Sequence, residues 1–176
     1  MISIVIPFFN EAILIDHLYD RLEKVISKWE EGYELILVDD GSYDGTLEKL
    51  CNLQKIDPNI TIVKFSRNFG HQAAISAGLK HATGDAAILM DSDLQDPPEI
   101  LPQFLDKWRQ GNQVVYAIRT RRKEHFFKRA SYKIFYRILR WIGDIDIPID
   151  SGDFCLMDRK VVSVLNNNMT EQIRFV

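Results

Sequence analysis

Residues 84–99 read Gly84-Asp-Ala-Ala-Ile-Leu-Met-Asp-Ser-Asp-Leu-Gln-Asp-Pro-Pro-Glu99. An apolar run, Ala86–Met90, ends in spaced carboxylates, and Pro97-Pro98 then suit the first turn of a helix. A short continuous apolar run fits a strand covered on both faces. The pattern recurs outward in both directions. Ile2–Ile6, Leu35–Val38, Ile60–Phe65 and Val114–Ile118 are further apolar, β-branched runs. Amphipathic stretches separate them, near Ala12–Glu30, Thr46–Ile56, Gln72–Ala82 and Pro98–Gln110. This alternation predicts one α/β domain over residues 1–176, a Rossmann-like, mostly parallel sheet flanked by helices.

Ligands of such sheets bind outside the carboxyl ends of the strands. The residues expected there are polar: Pro7-Phe8-Phe9-Asn10-Glu11, Asp39-Asp40-Gly41-Ser42, Ser66–His71, Asp91–Asp96 and Arg119. Asp91 and Asp93, two residues apart after a strand, can converge on a hard divalent cation such as Mg²⁺, with substrate phosphates completing its oxygen shell and Gln95 as a further ligand. The same triplet also suits a loop of capping acids before the prolines. A carboxylate in the 39–42 stretch can accept from a base imide or a ribose hydroxyl, or it can serve a turn. Asp44 is expected to cap the next helix. His71 reads as a packing or helix-start residue ahead of a metal ligand.

Beyond Arg119 the alternation stops. His125–Ile142 reads as one long helix, and Phe154–Met157 as a strand after a tight Ser151-Gly152-Asp153 turn. Residues 1–118 hold 10 Lys/Arg against 18 Asp/Glu, whereas residues 119–140 hold nine Lys/Arg and the single acid Glu124. A concentrated basic segment on an acidic body points to a localised anionic partner, or to a solvated charged helix. Two cysteines, Cys51 and Cys155, suit a reducing compartment as buried apolar filler. No apolar run is long enough to span a bilayer, and the N-terminus lacks the basic start of a signal peptide.

The series IVIPFFNE, ILVDDGSYDGT, SRNFGHQAAISAGLKHATGD, DSDLQDPPE and SGDFCLMDR resembles the inverting family 2 glycosyltransferases of GT-A fold. Within them it is similar to the polyprenyl-phosphate glycosyltransferases, the dolichol-phosphate mannose synthase-like and bacterial lipid-phosphate glucosyltransferase group. The resemblance implies a nucleotide pocket of Pro7, Phe9, Glu11, Asp40, Asp91 and Ser92. It implies Mg²⁺ or Mn²⁺ on Asp91, Asp93 and Gln95. It implies Arg119 and Arg129 as phosphate-binding residues, with Asp153 as the base or sugar-orienting carboxylate where one is needed. The reaction implied is hexose transfer, expected as glucose from a UDP-sugar, to a polyprenyl phosphate with inversion. A lipid phosphate is already anionic near neutral pH, so it needs cationic positioning more than a general base. The segment 119–142 is then expected to face an anionic membrane and the acceptor, at the cytoplasmic face, with membrane helices following the sequence given. Nucleic acid is not an expected partner; a homo-oligomer is left open.

Other classes fit less well. A nucleotidyltransferase needs a Gly-rich, Arg-containing loop where PFFNE stands. A phosphatase with an Asp nucleophile expects that residue on the first strand, whereas Asp39-Asp40 follow the second. Dinucleotide, P-loop, zincin and Gly-x-Ser-x-Gly signatures are absent. Transfer to a sugar hydroxyl, and a binding module without turnover, remain the alternatives.

Overall fold

The computed structural model describes residues 1–118 and 151–168. Strands β1 (Ile2–Phe8), β2 (Tyr33–Asp39), β3 (Ile60–Lys64), β4 (Ala86–Leu89), β5 (Val114–Ile118) and β6 (Ser151–Asp158) form a six-stranded sheet in the order β3-β2-β1-β4-β6-β5. Helices α1 (Ile15–Ile26), α2 (Thr46–Ile56), α3 (His71–His81), α4 (Leu101–Arg109) and α5 (Arg159–Asn168) flank it. The first four strands are parallel, and β6 runs antiparallel to both β4 and β5.

The period of two along each strand divides the core in two. Ile4, Ile6, Leu35, Leu37, Ile88, Phe154 and Leu156 meet α1, α2 and α4 through Leu18, Leu22, Leu50 and Phe104. Val5, Ile36, Val38, Ala87, Leu89, Cys155 and Met157 meet α3 and α5 through Ala74, Ile75, Leu79 and Val162. Each fully buried Leu or Ile contributes about 1.5–3 kcal/mol, so both faces of the sheet are committed. Gly78 lets α3 lie close on the sheet, since a Cβ there would stand 2.2 Å from Val5 Cγ1. Cys155 fills this layer as the sequence suggested, and burial, aided by the charge of Asp153, pushes its thiol up to about 12.

Several boundaries move. The helix expected over Ala12–Glu30 is confined to Ile15–Ile26. Before it, Leu14 N–H bonds Glu11 O and Ala12 N–H bonds Asp44 Oδ2, so the chain is held in a turn. After it, Lys28 and Trp29 tighten to i−3 acceptors, which ends the helix. Pro98–Ile100 is a 3-10 turn, and α4 begins only at Leu101. Asp44 lies one residue before the cap position, yet it caps the helix by accepting from Thr46 N–H at 3.0 Å. Ser151-Gly152-Asp153 is the start of β6 and not a turn, because Ser151 already pairs with Ile118 of β5. The helix read over His125–Ile142 lies outside the described residues.

Candidate active site

Five elements deliver side chains to the carboxyl edge of the parallel strands. There a cavity of about 300 Å³ is lined by Pro7, Phe8 and Phe9 from the end of β1, with Glu11, Asp40, Asn68, His71, Ala74, Asp91, Ser92 and Asp93. The turn after β1 is held open by Asn10 in the left-handed region (φ 56°) and by Asn10 N–H bonding Ser42 Oγ at 3.0 Å. Glu11 N–H bonds Thr46 Oγ1 at 2.9 Å. The Glu11 carboxylate faces the cavity, and its Oε2 is buried with no hydrogen-bond partner among the described residues. A buried acceptor left unmatched costs about 1–3 kcal/mol, so this wall is built to meet a donor.

The second wall is fixed by Asp40, only 3% exposed. Its Oδ1 accepts from Phe69 N–H at 2.7 Å and its Oδ2 from Gly70 N–H at 2.9 Å. Asp39 takes the turn role, accepting from Ser42 N–H at 3.2 Å. Loop 66–70 is thereby fastened to the end of β2. Its outer face is capped by the Arg67 guanidinium, 4.3 Å from the centre of the Phe69 ring. Phe9 and Tyr43 pack edge-to-face beside the mouth, centroids 6.1 Å apart.

The third wall is acidic. Ser92 is buried, and Asp93 is exposed with its Oδ1 accepting from Gln95 N–H at 2.9 Å. Asp91 is half-buried, and burial raises its pKa above the usual carboxylate range. Nearby His71 pulls it back, while Asp96, Asp153 and Asp93 push it further up. β4 and β6 pair Ala86 with Asp158 and Leu89 with Cys155. Two residues beyond that last pair, Asp91 on one chain segment and Asp153 on the other both approach α3. His71 Nε2 stands between them, 3.5 Å from Asp91 Oδ1 and 3.2 Å from Asp153 Oδ2. Its pKa is raised by the hydrogen bond with Asp153, against burial, and by the charges of Asp91, Asp153 and Asp40.

The structure thus brings Pro7, Phe9, Glu11, Asp40, Asp91, Ser92 and Asp93 to one cavity and Asp153 to its border. Gln95 adjoins Asp93 through its backbone but does not line the cavity. Arg119 and Arg129 lie outside the described residues. Asn68 carries no role in the sequence reading. His71 does open α3, as expected, but its ring also faces the two carboxylates. Only the fold places these residues at the cavity, since nothing in SRNFGHQ points a side chain at residues 91 and 153.

A divalent cation suits these residues by chemistry. Asp91 and Asp93 offer hard oxygen donors at one cavity wall, and no group of three or more His, Cys, Asp and Glu among the described residues is arranged as a protein-only metal site. A cation held by one or two carboxylates and completed by substrate phosphates is the habit of Mg²⁺.

A parallel sheet with one antiparallel strand inserted beside β4, and acids gathered at its carboxyl edge, defines a glycosyltransferase of GT-A fold. Solved structures superpose on this fold. A mannosyltransferase from Pyrobaculum calidifontis, in complex with GDP-Man and Mn²⁺, superposes with a TM-score of 0.65 at 22% identity, covering 93% of this chain and 46% of that one. Glucosyl-3-phosphoglycerate synthase from Mycobacterium tuberculosis, in complex with UDP, gives 0.62 at 21% identity, covering 92% and 57%. The chain belongs to glycosyl transferase family 2, whose profile matches residues 3–165. An uncharacterized glycosyltransferase of Bacillus subtilis (strain 168) is 52% identical over 160 residues, 90% of this chain and 50% of the relative. A prophage bactoprenol glucosyl transferase homolog of Escherichia coli (strain K12) is 40% identical over 162 residues, 92% of this chain and 53% of the relative. The chain spans about half the length of the curated relatives it matches.

Proposed function

We propose that this domain transfers glucose from UDP-glucose to a polyprenyl phosphate, with inversion, at the cytoplasmic face of a membrane. The observation that carries the reading is the single cavity in which Glu11, Asp40, Asp91 and Asp93 converge. Relatives named bactoprenol glucosyl transferase, 38–40% identical, support the acceptor and the sugar.

Pro7, Phe9 and Asp40 form the base and ribose side. The unmatched Glu11 Oε2 suits a ribose hydroxyl, and Ser92 lines the same cavity. Asp91 and Asp93, with Gln95 in reserve, hold Mg²⁺ or Mn²⁺ at the diphosphate. That cation supplies charge neutralisation of the departing nucleoside diphosphate. Asp153 orients the sugar. Arg119 and Arg129 hold the acceptor phosphate, whose own charge makes it the nucleophile without proton removal. In-line attack at the anomeric carbon forms the new C–O bond as the bond to the diphosphate breaks, which inverts the centre.

The test is transfer of labelled glucose from UDP-glucose to undecaprenyl phosphate in detergent, with Mn²⁺, Mg²⁺ or EDTA. Organic-soluble label that depends on the cation is expected. Free UDP and glucose without lipid product, or label only on a sugar acceptor, overturns the acceptor assignment. GDP-mannose outperforming UDP-glucose overturns the donor.

A further inference from the structure

The pairing of β4 with β6 creates an electrostatic problem at the heart of the site. The pairing ends with Leu89 opposite Cys155, and just beyond it Asp91 and Asp153 both stand within 3.5 Å of His71 Nε2. Two carboxylates held this close to one nitrogen repel each other. They are half-buried, which weakens solvent screening. The group that stands between them comes from a third element. His71 is the first residue of α3, and the preceding residue, Gly70, is tied through its N–H to Asp40. Ala74, Ile75 and Leu79 then lock the helix on the sheet. The backbone that carries the imidazole is therefore fixed, and one nitrogen spans both carboxylates.

We infer that His71 is a positioning residue for the transfer reaction, its Nε2 holding Asp153 of β6 beside Asp91, which follows β4. Nε2 is nearer Asp153, so its hydrogen is directed there, and Asp91 keeps acceptor capacity toward the nucleotide side. Asp153 is the group fixed by this contact, because β6 enters the site immediately after residues 119–150 and its first residues pair only at the Ile118–Ser151 step beyond a register irregularity. Without the imidazole, Asp153 is free to turn away from Asp91. A donor sugar bound on the Asp91 side then lacks its orienting carboxylate, while nucleotide contacts at Asp40 and Glu11 are untouched. The inference deepens the glycosyl-transfer reading and rests on it for its kinetic consequence, whereas the contact itself is testable alone.

The experiment compares His71→Ala and His71→Gln in the glucose-transfer assay and follows the ring by ¹⁵N NMR. Gln keeps an N–H donor at a reach close to that of Nε2. In His71→Ala, kcat is expected to fall on the order of 10–100-fold, the scale of a misplaced group at a reacting centre, with KM for UDP-glucose nearly unchanged. His71→Gln should recover a large part of kcat. A purely structural role would lower the melting temperature of both variants and give no kinetic rescue, and that result overturns the inference, as does wild-type kcat in His71→Ala. In the second arm, the His71 ring of the wild-type chain should carry its proton on Nε2, and Asp153→Asn should shift that resonance. An unmoved resonance overturns the contact. Should wild type fail to transfer glucose while the resonance shifts, the functional reading fails and the His71–Asp153 tie stands.

Discussion

Gly41 touches the backbone of Arg67: a Cβ added to Gly41 would lie 2.4 Å from the Arg67 carbonyl carbon. Gly41 also has φ +72°, a conformation that L side chains rarely adopt. The contact seats loop 66–70 against the end of β2, where Asp40 then bonds Phe69 and Gly70. Gly41→Ala should therefore cost on the order of 2–4 kcal/mol through combined strain and overpacking. Because Asn68, which lines the cavity, is carried by that loop, UDP binding should weaken as well. Thermal melting and calorimetry check the pair of effects. An unchanged melting temperature would show that the loop yields at no cost.

Asp93 is exposed, and its side chain accepts only from the backbone N–H of Gln95 among the described residues, so it is dispensable for folding. Asp93→Ala should melt within about 1 °C of wild type, as surface substitutions do. Its affinity for UDP in Mn²⁺ should drop by about tenfold or more, the worth of one charge-assisted contact. Affinity in EDTA should be the same for both chains. Equal Mn²⁺-dependent binding by the variant would remove Asp93 from the cation site.

Glu34 gives the fold a pH dependence of known sign. Its Oε1 accepts from Ser3 Oγ at 2.6 Å, Thr83 N–H at 2.6 Å and Gly84 N–H at 3.1 Å. Burial alone would raise its pKa, but these donors outweigh burial and hold it below the usual range. A carboxyl whose folded pKa is depressed stabilises the protein above its unfolded pKa, about 4.3 for Glu. That stabilisation is lost as pH falls through the folded value. Glu34→Gln should be about 1–2 kcal/mol less stable at pH 7, with the gap to wild type closing in acid. Urea midpoints at neutral and acid pH measure this. A gap that persists below the folded pKa would assign the loss to packing.

The nine Lys/Arg of residues 119–140, against one Glu, should bring the protein to anionic vesicles. Each basic side chain near such a surface is worth about 1 kcal/mol. Binding should fall steeply with salt, and Arg/Lys→Gln changes in the segment should weaken it. Co-sedimentation with phosphatidylserine vesicles at two ionic strengths decides. Salt-insensitive binding, or none at low ionic strength, would return the segment to protein packing.

Much of this architecture is written in local pattern. The runs at residues 2–6, 35–38 and 86–90 are apolar on both faces because both faces are covered, and Asp40, Asp91 and Asp93 follow them directly. The position of β6 was harder to read. Chain order suggests β5 beside β4, yet β6 lies between them. A clue existed in Phe154–Met157, where both alternating pairs are apolar, as an interior strand requires. The meeting of Asp91 with Asp153 needs the antiparallel register as well as the neighbourhood. His71 needs both of these and the docking of α3, three long-range facts that no local spacing encodes.

The pairing of Ile118 with Ser151 has a consequence for how such enzymes diversify. The two residues that bracket positions 119–150 are cross-strand neighbours, their Cα atoms about 5 Å apart by the geometry of antiparallel pairing. Whatever chain joins them starts and finishes at the same doorway, on the ligand edge of the sheet. Its length and composition can change without altering the spacing of its two anchors. A single scaffold can in this way carry different inserts at one place while the strands that line the cavity keep their spacing.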